Sequence, residues 1–293
     1  MASFVAPRTD ATLPRNKEEN RSFLLRNPDA LIALALTLVC GFTRYLALPA
    51  SLWEWDDFLF VRALHRFDLP SHSPHPPGFP VFVMMTRAAN FLLHNDHLAL
   101  ALVSTLFATA LGAGLYYFYL ALLPDRTIAV SATLLCIFAP NVWVFSGAGR
   151  SDEVSFSLGV IGSALMLRGS QSATAFLSGC ALLGIGMGVR VTLLPVMGLI
   201  VILVSLVRLS RKQWRIILLG AMLSVAGVLS WYVPMVWHTT LPVYQETSRL
   251  HAQYVFATDS IFSATESGIL AYRASAGFID IWGEWKLAIA RSV

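Results

Sequence analysis

Trp53-Glu54-Trp55-Asp56-Asp57-Phe58 sets three carboxylates among aromatic rings, and His75-Pro76-Pro77-Gly78-Phe79-Pro80 follows it as a rigid turn. Two more charged segments lie further on: Gly149-Arg150-Ser151-Asp152-Glu153, and a Gly-x-Gly-x-Arg ending at Arg190 ahead of Pro195. A carboxylate can draw the proton from a hydroxyl as that oxygen attacks. A guanidinium can grip a phosphate through two parallel hydrogen bonds. Placed beside hydrocarbon, where charge is costly and tends to be functional, this combination suits chemistry on a phosphorylated lipid.

The rest of the sequence says what must hold these residues. Of 293 residues, 56% are hydrophobic and only 13% charged, about half the charge of an ordinary soluble domain. The expected class is an all-α, multi-pass integral membrane protein. Its net charge of +4 is small and forms no basic stripe, which excludes a nucleic-acid partner. Cys40, Cys136 and Cys180 lie in apolar runs without paired spacing and read as packing residues. Residues 1–28 read as a basic cytoplasmic tail, and the first apolar run as a retained helix rather than a cleaved signal.

That first span, 29–48, is long enough to cross about 30 Å of hydrocarbon, and its basic flank directs the following loop, 49–97, to the outer side. Within the loop, Phe60, Leu64 and Phe67 recur at helical spacing opposite Arg62, His65 and Arg66, as in a helix lying on the membrane surface. Thr86, Asn90 and His94, with Arg87 beside them, make a polar stripe on 81–93, read as a second surface helix. Spans are then expected at 98–123, 127–145, 154–167, 173–188, 191–207 and 216–237. Seven crossings leave Arg126, Arg168 and the cluster Arg208, Arg211, Lys212 and Arg215 inside with the basic tail. One straight helix over 173–207 would be about 50 Å long, so a hairpin with Arg190 near its outer tip is expected. Residues 238–293 read as an outer-face tail.

Under this topology Asp56, Asp57 and His75, then Arg150, Asp152 and Glu153, then Arg190, all meet at the outer surface. Each has a purely structural reading as well. Asp56 or Asp57 can cap the first surface helix, His75 can serve the turn, Asp152 and Glu153 can cap the fourth span, and either arginine can snorkel to headgroups. Adjacent helical residues point about 100° apart, so one of the two aspartates is expected to cap while the other reacts.

The acidic pair after the first span, the His-Pro-Pro turn, the Arg followed closely by an acid after the third span, and the Gly-x-Gly-x-Arg before a proline together resemble the C-type membrane glycosyltransferases (the GT-C fold). That family includes protein O-mannosyltransferases and lipid A aminoarabinose transferases. The resemblance covers about 29–237 and implies a GT-C-like bundle of about seven transmembrane helices with two juxtamembrane helices in the first outer loop. It implies inverting transfer of a sugar from a polyprenyl-phosphate donor to an acceptor hydroxyl on the outer face, in a bacterium the periplasmic side of the inner membrane. Asp56 takes the place of the catalytic base, with Asp57 and Asp152 as further catalytic acids. Asp152 or Glu153 would orient the acceptor or hold the base, while Arg190, Arg150 and His75 would meet the lipid phosphate. No cofactor is fixed and no metal ligand is assigned, although some relatives use a divalent metal and oxygen ligands are at hand. Asp57 stands where many relatives have Glu. Many relatives also continue with further spans or a soluble domain, where this chain adds a short tail. The competing classes are a transporter or lipid-binding protein and a catalytically inactive partner subunit. A transporter would place its charges near the midplane, often in repeated halves, and no internal repeat is present.

Overall fold

The computed structural model describes residues 27–52 and 54–258, and every regular element among them is helical. Helix α1 (Pro28–Leu46) begins at Asn27, whose side chain accepts from the amides of Asp29 and Ala30. Residues 1–26 of the expected tail lie outside the described residues. The outer loop carries α2 (Trp55–His65) and α3 (Pro80–Leu93). Then come α4 (Asp96–Leu122), α5 (Arg126–Ile137), α6 (Pro140–Phe145), α7 (Ser151–Arg168), α8 (Ala173–Gly186), α9 (Leu193–Ser210), α10 (Trp214–Thr239) and α11 (Leu241–Thr258).

By length and composition, four helices can cross a membrane: α1, α4, α9 and α10. They present Leu38, Phe42, Leu106, Leu199, Leu203, Met222 and Val225 outward, a surface that only hydrocarbon would solvate well. The other three expected crossings look different. Helix α7 is long enough at 18 residues but carries Asp152, Glu153 and Arg168 at its ends, and α8 has 14 residues. The single span expected over 127–145 is two helices, a correction with a plain cause. Pro140 lacks an amide and disfavours helical backbone in the residue before it. Ala139 is accordingly extended, with ψ of 135°, and α6 restarts with Pro140 in its first turn.

Helix α7 is the packing centre, with α4, α8 and α9 against it. Its inward face is small: Ser155, Gly159 and Ser163 are spaced by four, and Gly162 is buried as well. Without a hydrophobic drive between helices in lipid, close backbone approach through small residues is what binds them. The same device joins α1 to α4, where a Cβ on Gly112 would sit 2.7 Å from the carbonyl oxygen of Leu36. It also joins α8 to α10, where Gly184 and Gly227 face each other and Trp231 Nε1 donates to the Gly184 carbonyl at 2.9 Å.

The polar stripe on α3 is divided between the interior and the surface, with Arg87 and His94 exposed. Thr86 is fully buried, Arg87 donates to the carbonyls of Leu64 and Ala63 at the end of α2, and Asn90 donates to Asp96. Met84, Phe91 and Leu92 are the exposed face. The stripe closes the helix ends of its neighbours, and the apolar side looks outward. The expected hairpin break is present, since α8 ends at Gly186 and α9 starts at Leu193. In the expected outer tail, residues 241–258 form α11, which packs on α10 and on the short 3-10 turn Leu69–Ser71; residues 259–293 lie outside the described residues.

Candidate functional site

Glu54 and Trp55 open α2, so the charged cluster sits at a helix N-terminus, where carboxylates are favoured. Its two aspartates divide as the 100° offset requires. Asp57 is 1% exposed, and its Oδ2 accepts from the amide of Glu54 at 3.3 Å, closing the start of the helix. Asp56 is open, with a side chain 38% exposed and its Oδ1 3.9 Å from His75 Nδ1. Geometrically, Asp57 is the cap and Asp56 the acid available to a ligand.

His75 lies in the turn between α2 and α3, where the Ser73–Pro74 and Pro76–Pro77 bonds are cis. Its ring meets Phe79 edge-on at 4.7 Å and lies 5.3 Å from His251. Gly78 has a φ of 106°, and a Cβ there would press on Met235, Leu69 and Phe67, so glycine is what lets the turn close against α10. Burial holds the imidazole pKa down at about 4; Asp56 opposes this, and His251, Arg190 and His72 reinforce it. At neutral pH His75 is therefore uncharged, and Asp56 has no cation from that side.

The second segment reaches the site because Gly149 adopts a φ of 66° beside Leu100. Residue 150 then leads straight into α7. Arg150 Nη2 pairs with Glu54 Oε2 at 2.6 Å, and its guanidinium lies 4.6 Å over the ring of Phe145. Glu54 thus ties α2 to α7. Asp152 and Glu153 part company just as the aspartates do. Glu153 is 3% exposed, is bonded by Ser157, and lies within electrostatic reach of the buried Arg44. The structure places it inside the bundle, turned about 100° around α7 from Asp152.

Asp152 faces Arg190. The connection from α8 to α9 is anchored where the Val81 amide donates to the Gly188 carbonyl at 2.9 Å, which brings Arg190 beside the His75 turn. Arg190 Nη1 donates to Asp152 Oδ2 at 2.9 Å and to Ser151 Oγ at 3.1 Å, and the guanidinium stands 5.7 Å over Phe79. Its Nε and Nη2 make no hydrogen bond among the described residues, which leaves one whole edge of the fork for a ligand.

The structure therefore brings Asp56, His75, Arg150, Asp152 and Arg190 together from three connections, and sets Asp57 and Glu153 inside. Three participants were not singled out from sequence: Glu54, Phe79 and His251. Glu54 stands in the cluster that drew notice, and its pairing with a residue almost a hundred positions on left no local mark. His251 lies on α11, too polar to read as part of the bundle. Among the described residues no three His, Cys, Asp or Glu side chains are grouped as a metal ion would need.

A cavity of about 790 Å³ lies nearby and does not enclose these charges. It is a groove between α3 and α10 that meets the site only at the turn, through Pro80. Its walls are apolar (Val83, Met84, Trp231, Met235), and its mouth carries Arg66, Asp68, Arg87 and His238. No protein-family model, curated protein or solved structure matches the chain.

Proposed function

We propose that this chain is a C-type membrane glycosyltransferase, moving a sugar from a polyprenyl-phosphate donor to an acceptor hydroxyl on the outer face of a seven-span bundle. The observation that carries the reading is that an open carboxylate, Asp56, and an arginine that keeps a free donor edge, Arg190, both lie within electrostatic reach of His75 at one end of the bundle. Asp56 is the general base: it takes the acceptor proton as the oxygen attacks the anomeric carbon from the side opposite the phosphate, and the sugar inverts. A neutral His75 leaves that carboxylate free to accept. The departing phosphate gains negative charge, which Arg190 meets through Nε and Nη2 while Asp152 fixes the orientation of the fork. Arg150, already held by Glu54, adds positive potential. The apolar groove beside the turn supports a lipid-borne substrate, since its walls suit a hydrocarbon tail and its mouth a polar head.

The test is consumption of a labelled polyprenyl-phosphate hexose by purified protein in liposomes, with Asp56→Asn and Arg190→Ala in parallel and several sugars and acceptors offered. Turnover in wild type that falls at least a hundredfold in Asp56→Asn, the lower end for a lost general base at about 10², supports the reading. Equal turnover in both removes Asp56 from the mechanism. No turnover with any donor, but binding of polyprenyl phosphate that needs Arg190, points to an inactive partner subunit.

A further inference from the structure

At the end of the bundle remote from Asp56, three arginines lack an acidic partner among the described residues. Arg208 bonds to the carbonyls of Gly169 and Ser172 and to Gln213, and Arg211 bonds to the carbonyl of Ser170. Arg168 lies 5.5 Å over the ring of Tyr117. Among the described residues none of these three pairs with a carboxylate; the one close ion pair at this end joins Arg126 to Asp29 at 2.6 Å. Arg208 is buried, and the exposed Arg168 and Arg211 make a surface that attracts anionic headgroups.

Arg168 differs from the other two in what lies beneath it. A groove of about 390 Å³ runs between α1, α4 and α7, floored by Ala110, Ala113, Gly114 and Ala164 and ending at Tyr117 and Arg168. The small residues on neighbouring turns leave a channel in an outward surface where larger side chains would have filled it. Besides Arg168 and Tyr117, its only polar lining side chain is Thr37, so the channel suits a hydrocarbon segment and offers nothing to a sugar. Arg168 is exposed at its mouth, held over Tyr117 by a cation–π contact that leaves its donors available.

We infer that the groove between α1, α4 and α7 seats one acyl chain of an anionic phospholipid, with the lipid phosphate on the Arg168 guanidinium. The inference rests on the membrane reading alone and not on the transferase reading, and the two can fail separately. The site would tie a lipid of the basic leaflet to the joint between α4 and α7, the two helices that carry the bundle's centre.

Native mass spectrometry of the full chain, released from nanodiscs containing equal phosphatidylglycerol and phosphatidylcholine, tests it. Wild type should retain phosphatidylglycerol preferentially. Arg168→Ala should reduce that preference roughly fivefold, the factor for one basic group at a charged surface, and Arg168→Lys should keep most of it. Ala110→Phe fills the channel without touching a charge and should reduce retention of the lipid as a whole. No preference in wild type, or a preference unchanged in Arg168→Ala, overturns the role of the arginine. Retention by Ala110→Phe equal to wild type overturns the groove as the seat. Circular-dichroism melting of both variants separates lost lipid from lost fold, and an unfolded Ala110→Phe is replaced by Ala113→Leu, read by the same criteria.

Discussion

His75 Nδ1 stands 3.9 Å from Oδ1 of Asp56, close enough to feel its charge and too far for a good hydrogen bond. A protonated imidazole would be drawn to that carboxylate, yet burial outweighs the attraction and keeps the ring neutral. The arrangement leaves Asp56 without a cation from the imidazole, and makes His75 a neighbour that shapes the pocket without supplying charge.

Acid should therefore weaken the fold through His75. Its pKa is about 4 in the folded chain against an ordinary 6.5, so between those values the unfolded chain binds a proton that the folded one refuses. The stabilisation is complete above pH 6.5 and is lost as the pH falls towards 4, by a total on the order of 3 kcal/mol. Thermal unfolding in detergent across that window should show the midpoint dropping in wild type and dropping less in His75→Gln. Equal slopes would assign the pH dependence to other groups.

Glu54 and Arg150 form the tie between α2 and α7, with side chains 33% and 16% exposed. Removing the acid leaves a largely buried guanidinium with one partner fewer, at a cost of about 1–3 kcal/mol. Glu54→Gln should lower the unfolding midpoint, and Glu54→Gln combined with Arg150→Met should recover part of the loss, because the stranded charge is gone. A double variant no more stable than Glu54→Gln alone would contradict this.

Much of this architecture could be read from the chain, and the exceptions have physical causes. Apolar runs of 18 to 27 residues announced α1, α4, α9 and α10, and the glycines before Arg190 announced the break between α8 and α9. The split at Pro140 was missed because hydropathy carries no record of a missing amide. The stripe on α3 was recognised, but its partners were not: amphipathicity gives two faces and does not say which groups of other elements meet them. At the site, Arg150, Asp152 and Arg190 stood out as charges beside apolar runs. Which of two adjacent acids is buried depended on helix phase, which leaves no letter pattern in the sequence. The contact of His251 with His75 belongs to tertiary packing alone.

Gly184 and Gly227 should be intolerant of side chains. A methyl on Gly184 would run into the Ser224 carbonyl, and one on Gly227 would sit 2.9 Å from the Ile185 amide nitrogen. Both obstacles are backbone, so relief requires the helices to part and costs about 1–3 kcal/mol. Gly184→Ala should lower the unfolding midpoint clearly, whereas Gly198→Ala, which meets nothing within 4 Å, should leave it unchanged or raise it. A wild-type midpoint for Gly184→Ala would mean that α8 and α10 are not in contact there.

Arg190 and Asp152 offer the sharpest separation of stability from function. Their side chains are 28% and 46% exposed, and a pair so open to solvent contributes no more than about 1 kcal/mol. Asp152→Asn should accordingly melt close to wild type. Its effect belongs on the ligand side, because without the carboxylate the guanidinium is free to rotate and its Nε–Nη2 edge is no longer held in one direction. Arg190→Lys keeps the charge and loses the fork, so it should bind polyprenyl phosphate more weakly than wild type and more tightly than Arg190→Ala. Binding of polyprenyl phosphate to the three variants, measured by fluorescence titration beside their melting curves, should fall in the order wild type, Arg190→Lys, Arg190→Ala, with Asp152→Asn below wild type and all midpoints within a few degrees. If binding tracked melting temperature instead, the pair would be a structural clasp between α7 and the α8–α9 connection, and the phosphate would have to be met elsewhere.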